Sequence, residues 1–382
     1  MDNVEDIIKL AREALAENNA KEALKILKPL KKSLKSTNAN NLQLIEAFIE
    51  IYLENGGVEN AYPLLVRSCE LDPQGQLGGS EKFFTLGQIT GGEDGIKIMF
   101  QGVENISQAS GESLSQEQIN KIIGGLLSMI EIWMTDLCME PNAESQCEEL
   151  IQRAMEISDK QSPEAWAMLG SIRISQQRYS DACASFIEAW KFFDMKKQNI
   201  ENHLLDNNVV SHRDYIELLQ PLLSLIKMCI EMGLYDVSLK IINAVKDIEE
   251  DNLENYYLEG FANYMLCKLE MFKMNNPELT ITPENIYEFN EHFEEVPLDI
   301  FSPVLADNIN EARIALSFAA KVGENCDNED GISQEILTGI RRLLQEVGGP
   351  ISTAELMKIK KGENVEEADY DLDIEEEIIE DN

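Results

Sequence analysis

Apolar residues in this chain recur at three- and four-residue intervals over runs of about ten to twenty residues, each closed by Gly, Asn or Pro. Two-residue alternation of the kind a half-buried strand needs is almost absent, so the pattern predicts an all-α protein. In VEDIIKLAREALAENNAKEALKILKPL, Ile7, Leu10, Ala11 and Ala14 fall on one helical face, Asn18 and Asn19 break the run, and Ala23, Leu27 and Leu30 line a second helix. Two short antiparallel helices form a hairpin that cannot bury both apolar faces alone, so it requires neighbours. They follow in sequence. Ile45, Phe48, Ile49 and Tyr52 make a stripe, ENGG a turn, Ala61 and Leu65 a second stripe, and Pro73 ends the pair. From Lys82, KFFTLGQITGGEDGIKIMFQGV repeats the arrangement.

The clearest copy is PEAWAMLGSIRISQQRYSDACASFIEAW from Pro163, in which Trp166, Leu169, Gly170, Ala182, Phe186 and Ala189 sit at the offsets of the tetratricopeptide consensus. Trp and Leu fill the space between paired helices, Gly170 and Ala182 are small where helices touch, and Phe186 and Ala189 face the next repeat. Arg173 and Asp194 depart from the pattern, which has Tyr and Pro there. Repeats are expected to start near residues 4, 42, 80, 128, 163, 218 and 253, with two long gaps read as insertions. The first contains SQASGESL and leads to a capping box at Ser115 to Gln118; the second spans KKQNIENHLLDNNVVSHRD. A third insertion, about 274–303, interrupts the last repeat with seven acids and no Lys or Arg. Its Tyr287, Phe289, Phe293 and Phe301 suggest that it folds back onto the helices. A terminal helix is expected from Ser333, as N-cap, to Gly348-Gly349. The fold class is therefore an all-α tetratricopeptide-repeat superhelix over 1–347 with a capping helix, followed by an acidic, disordered tail over 348–382.

Charge sharpens the picture. With 32 basic and 70 acidic residues the formal charge is −38, which argues against the positive footprint of a nucleic-acid binder and favours a basic protein partner. No apolar run is long enough for a membrane span, and seven scattered cysteines without C-x-x-C read as reduced core residues. No nucleotide-loop, metalloprotease, nucleophile-elbow or EF-hand motif occurs, and His203, His212 and His292 lack ligand-like spacing. No enzyme activity, cofactor or metal is expected.

Repeat arrays offer a concave face lined by the first helix of each pair. Counting the second, fifth, ninth and twelfth residues of each repeat gives Gln43, Glu46, Glu50 and Leu53 with adjacent Glu54, then Asp136, Glu140, Glu164 and, in the last repeat, Glu254, Tyr257, Phe261 and Tyr264. Any one of them is as readily a solvated helix face; the collective sign, acidic with interleaved aromatics, carries more. Repeat clamps for acidic chaperone tails need Lys and Arg, and little beyond Arg12 supplies them.

The chain as a whole resembles the fungal dedicated assembly chaperones of the fourth large-subunit ribosomal protein. The resemblance rests on AREALAENNAKEALKILKPL, FFTLGQITGGEDGIKIMFQG, the consensus-like repeat from Ser162, the acidic insertion before PVLADNINEARIALSFAAKV, and EEADYDLDIEEEIIEDN, in that order. It implies a repeat superhelix that binds a newly made basic ribosomal protein one-to-one as a monomer, shields its extended basic loop and delivers it from cytoplasm to the nuclear pre-60S particle. Lys358 to Lys361 is too short for an import signal, so entry on the client's own signals is an equal reading. The alternatives are a general acidic chaperone for basic proteins such as histones, or a protein–protein scaffold.

Overall fold

In a computed structural model of the protein, residues 4–110, 113–205, 212–324 and 331–362 are described. Among these residues the regular elements are α-helices and short 3-10 turns, with no strand. The chain divides into two units, Met1–Gln176 and Gln177–Asn382.

The first unit is built of helical hairpins: α1 (Val4–Ala16) with α2 (Ala20–Leu27), α3 (Leu42–Glu54) with α4 (Val58–Leu71), α5 (Glu81–Thr90) with α6 (Gly92–Ala109), and α7 (Gln116–Met134) with α8 (Ala143–Ile157), followed by α9 (Pro163–Ser175). Helix starts are set by side chains that satisfy otherwise orphaned backbone N–H groups. Asn19 accepts from Glu22 N, Asn41 from Leu44 N and Ser162 from Ala165 N. The Ser115–Gln118 capping box forms in full. At the α5–α6 crossing the two backbones nearly touch: a Cβ on Gly87 would lie 2.6 Å from the Gly95 carbonyl oxygen, so larger residues would push the helices apart.

Two core clusters result, one of α1–α5 residues centred on Leu27, Phe48 and Leu65, the other of α6–α9 residues centred on Met99, Leu126 and Ile130. The α1 face differs from expectation by one step. Ile8 and Ala11 are buried, whereas Leu10 is 55% exposed. The fourth pair also starts earlier than expected, at Gln116 rather than near 128. Of SQASGESL, Ser107 to Ala109 belong to the end of α6 and residues 111–112 lie outside the described residues, and the extra length lies between the starts of α7 and α9. Gly125, inside α7, leaves room for the Phe84 ring, whose Cε1 would sit 2.5 Å from an added Cβ.

The second unit contains α10 (Tyr179–Leu205), α11 (His212–Ile216), the hairpin α12 (Leu219–Glu231) with α13 (Tyr235–Ile248), and α14 (Leu253–Asn275) paired with α16 (Ala306–Gly323). Between the last two lie α15 (Ile286–His292) and a 3-10 turn, and α17 (Gly331–Glu346) and α18 (Thr353–Lys360) follow. Much of the second expected insertion is the continuation of α10 to Leu205. Helix α17 begins at Gly331, so Ser333 lies inside it and not at its cap, while Gly348 (φ +98°) and Gly349 (φ +88°) end the segment as expected.

The clearest sequence repeat straddles the unit boundary, with Trp166, Leu169 and Gly170 in the first unit and Ala182, Phe186 and Ala189 in the second. Ala182, Phe186 and Ala189 are fully buried. Trp166 is half-buried, and its indole N–H donates to the Lys160 carbonyl at 2.9 Å. Ordered chain also continues past residue 348, where the acidic tail was expected to begin. Ile351 N donates to Ser317 Oγ, Leu356 is buried, and Lys360 pairs with Asp251 at 2.8 Å. The part of the tail from 363 to 382 lies outside the described residues, as do residues 325–330 with Cys326.

Candidate partner-binding faces

Helix α3 of the first unit carries Gln43, Glu46, Glu50, Leu53 and Glu54, and its acids have unequal surroundings. Glu50 is gripped by Arg12 from α1 through two parallel bonds, Nε–Oε2 at 2.9 Å and Nη2–Oε1 at 2.7 Å. An open cleft of about 700 Å³ runs beside this pair, lined by Glu5, Lys9, Arg12, Glu13 and Gln43 among others. Glu46 is half-buried, 3.5 Å from Lys82 Nζ on α5, and accepts from Ser68 Oγ at 3.2 Å. Burial pushes its carboxyl above the ordinary range despite Lys82.

Lys82 itself is buried and donates to Asp72 at 2.6 Å. Asp72 also accepts from the backbone N–H groups of Gln76, Leu77 and Gly78 at 2.9–3.1 Å. Burial alone would raise the Asp72 carboxyl; Lys82 and the backbone donors outweigh it and hold the group below its ordinary range. Neither Asp72 nor Lys82 was among the residues expected to matter. The available signal was the turn-rich DPQGQLGG that Asp72 opens, in a position where Asp satisfies its own downstream backbone. Farther along, Glu81 of α5 pairs with Lys121 of α7 at 2.5 Å. First helices of successive hairpins are thus tied acid to base: α1 to α3, α3 to α5, α5 to α7.

Glu54 is exposed at the end of α3. Asp136 and Glu140 are exposed in the α7–α8 turn, where Asp136 accepts from Gly92 N at 3.0 Å. Glu164, half-buried in the first turn of α9, accepts from Ser162 Oγ at 3.0 Å.

In the second unit Glu254 pairs with Lys227 at 2.6 Å. Tyr257, Phe261 and Tyr264 form a stacked row along α14, with ring centroids 6.0 and 6.4 Å apart. Two rings of that row, Phe261 and Tyr264, meet the acidic insertion, while Tyr257 lies beside Gly339 of α17. Phe293 places its edge on Phe261 and Tyr264 at 6.3 and 6.4 Å. Ile286 and Phe289 are buried, the latter against Phe272 at 5.5 Å. Tyr287 Oη donates to Glu231 at 2.8 Å, Asn290 Nδ2 to the Glu231 carbonyl at 2.7 Å, and Lys268 Nζ to the Val296 carbonyl at 2.6 Å. The insertion therefore folds back through Tyr287, Phe289 and Phe293, as their spacing suggested, whereas Phe301 is 88% exposed. Tyr264 is 1% exposed and donates to Glu346 at 2.5 Å. Burial and this carboxylate raise its phenol far above the ordinary range.

The expected acidic and aromatic residues thus divide into two sets. Glu46, Glu50, Glu54, Asp136, Glu140 and Glu164 belong to the first unit; Glu254, Tyr257, Phe261 and Tyr264 belong to the second. Glu54, Asp136 and Glu140 are the exposed acids of the first set, and Tyr264 is not presented to solvent. Among the described residues no group of His, Cys, Asp and Glu is arranged to hold a metal, and no helix is long and apolar enough to cross a membrane.

Comparison with known proteins bears out the resemblance read from the sequence. Residues 251–371 match the family described as the ACL4 C-terminal domain. The chain is 27% identical over 295 residues to a probable assembly chaperone of rpl4 from Emericella nidulans, covering 74% of this chain and 71% of that protein. It is 27% identical over 264 residues to a protein of the same description from Schizosaccharomyces pombe, covering 66% and 72%. A solved structure of the assembly chaperone of RpL4 (residues 1–338) shares the fold, with a TM-score of 0.50, 23% identity, and coverage of 70% of this chain and 98% of that one.

Proposed function

We propose, from the likeness to assembly chaperones of rpl4, that this chain is a non-enzymatic chaperone for a basic large-subunit ribosomal protein of the rpl4 kind. The observation that carries the proposal is that likeness, extending over 74% of the chain and joined by the matched C-terminal domain. Physical chemistry supports it. A chain of net charge −38 draws a Lys- and Arg-rich client from solution and masks charges that would otherwise bind RNA indiscriminately. Helical hairpins supply faces long enough to lie along an extended basic loop. Glu54, Asp136 and Glu140 are the first carboxylates such a loop meets, because Glu46 already holds Lys82 and Glu50 already holds Arg12.

On this reading one chaperone holds one client, accompanies it from cytoplasm to nucleus, and gives it up when pre-ribosomal RNA competes for the same basic side chains. Purifying the tagged protein from its own cells and identifying what elutes with it tests the reading. A single basic large-subunit ribosomal protein at one-to-one stoichiometry is expected. Histones, or a broad set of basic proteins in no fixed ratio, would overturn it in favour of a general acidic chaperone.

A further inference from the structure

The lysines are unevenly placed in this acidic chain. Residues 21–35, KEALKILKPLKKSLK, hold six of the 32 basic side chains and one carboxylate, Glu22. All six lysines are exposed. Lys21, Lys25 and Lys28 lie at i, i+4 and i+7, one face of α2, and two 3-10 turns, Lys28–Leu30 and Ser33–Lys35, continue the run through Lys32 and Lys35. The opposite side is fixed in the core: Ala23 and Leu27 are fully buried, and Leu24, Ile26, Leu30 and Leu34 pack against the same cluster. Lys25 pairs with Glu22 at 2.7 Å, and Lys31 lies over the Tyr52 ring at 5.3 Å. Lys21, Lys28, Lys32 and Lys35 make no ion pair with a described residue.

We propose that this stripe binds the phosphate backbone of RNA. It goes beyond the chaperone reading: the face that takes a basic client is acidic, and this one is its opposite. Three observations favour RNA over other anionic partners. The stripe is all lysine, point charges that neutralise phosphates without reading sequence. Residues 21–35 contain no aromatic or arginine side chain of their own to anchor an acidic protein, and such anchors dominate protein interfaces. The apolar side is already occupied by the core, so the segment can neither insert into a membrane nor be drawn out as an extended strand for an import receptor. The net charge of −38 does not forbid the contact, since at physiological salt charges are screened over about 8 Å and RNA on the stripe senses mainly what adjoins it.

The test is fluorescence anisotropy of the full chain with a labelled, mixed-sequence 30-nucleotide single-stranded RNA, from 50 to 200 mM KCl. Four phosphates neutralised predict a log–log salt slope near −2.8 and a loss of affinity of about 50-fold across that range. The variant Lys21→Gln, Lys28→Gln, Lys32→Gln, Lys35→Gln should lose at least about tenfold in affinity at 50 mM and most of the slope, at ~0.7 per lysine. Its thermal midpoint should equal that of the parent, because the four side chains are exposed. A control variant, Lys9→Gln, Lys97→Gln, Lys191→Gln, Lys321→Gln, removes four exposed lysines elsewhere and should bind as the parent does. No RNA binding by the parent at 50 mM, or equal loss in the control variant, would overturn the proposal. So would displacement of RNA by poly-glutamate at equal charge concentration, which would make the partner an acidic protein.

Discussion

In the first unit two of the carboxylates expected to receive a partner are held by cations from neighbouring helices, Glu50 by Arg12 and Glu46 by Lys82, which also holds Asp72. In the second unit two rings of the expected aromatic row on α14, Phe261 and Tyr264, are met by the chain's own acidic insertion through Phe293. The difference is one of means. The Arg12–Glu50 pair leaves both partners near solvent and exchangeable, at 44% and 43% side-chain exposure, whereas Lys82 and Asp72 are buried. A packed insertion buries rings and removes them from competition. A basic client could exchange with Arg12 by supplying its own cation, whereas reaching Phe261 and Tyr264 would require dislodging Phe293 and the 3-10 turn that carries it.

The comparison is broken most severely at its buried members. Lys82→Met leaves Asp72, 4% exposed in its side chain, without its cation and should cost about 3–5 kcal/mol of the first unit's stability by urea denaturation. A cost under about 1 kcal/mol would mean that the ion cluster is incidental. The same cluster gives the unit an acid limb. Asp72 has its folded pKa depressed, so its contribution is present above the unfolded value and is lost as pH falls through the folded one. Glu46, raised by burial, works the other way: its contribution is full below its unfolded value and fades as pH rises through the folded one. Stability measured from pH 5 down to pH 2 should fall in the parent as Asp72 protonates, and Asp72→Asn should flatten that limb.

In the second unit Phe289→Ala empties a fully buried site between Phe272 and Phe293 and should cost about 3–5 kcal/mol. Amide hydrogen exchange should quicken across residues 286–296 in the same variant. If exchange quickened with no loss of stability, the insertion would be a detachable cover and the contrast between the units would disappear. Tyr264→Phe, which removes the hydroxyl donated to Glu346, should cost about 1.5–3 kcal/mol in thermal denaturation. Smallest is the exposed Arg12–Glu50 pair, for which a double-mutant cycle should return a coupling of about 0.2–1 kcal/mol. A coupling several times larger would make that pair a structural staple as firm as Lys82.

The hairpins were legible because their rules are local. The capping box at Ser115 was read from the sequence and forms in the structure, where Asn19, Asn41 and Ser162 cap helix starts by the same local rule. The start of α7 was harder: a repeat was expected to start near residue 128, whereas the helix begins at Gln116 with polar first turns. The acidic and aromatic positions depend on partners distant in sequence, which periodicity does not report. Nothing in EAFIEIYLE says that Arg12 lies 38 residues back on Glu50, or that Lys82 reaches Glu46 from the next hairpin. The insertion was half legible. Its aromatics pointed inward as a group, but only the fold separates buried Phe289 from exposed Phe301.

These neighbours decide how the chaperone reading should be tested. Glu46→Lys would place a second cation against Lys82 and confuse misfolding with lost binding, whereas Glu54 and Glu140 are exposed and can be reversed without disturbing the core. The direct measurement is the affinity of a purified rpl4-type ribosomal protein for three forms of the chain: the parent, Glu54→Lys with Glu140→Lys, and a form ending at Gly362. A loss of more than about tenfold is expected for the charge reversal, and a change of no more than a few-fold on removing residues 363–382. The opposite result, with binding lost alongside the C-terminal acids and indifferent to the helix faces, would contradict that expectation.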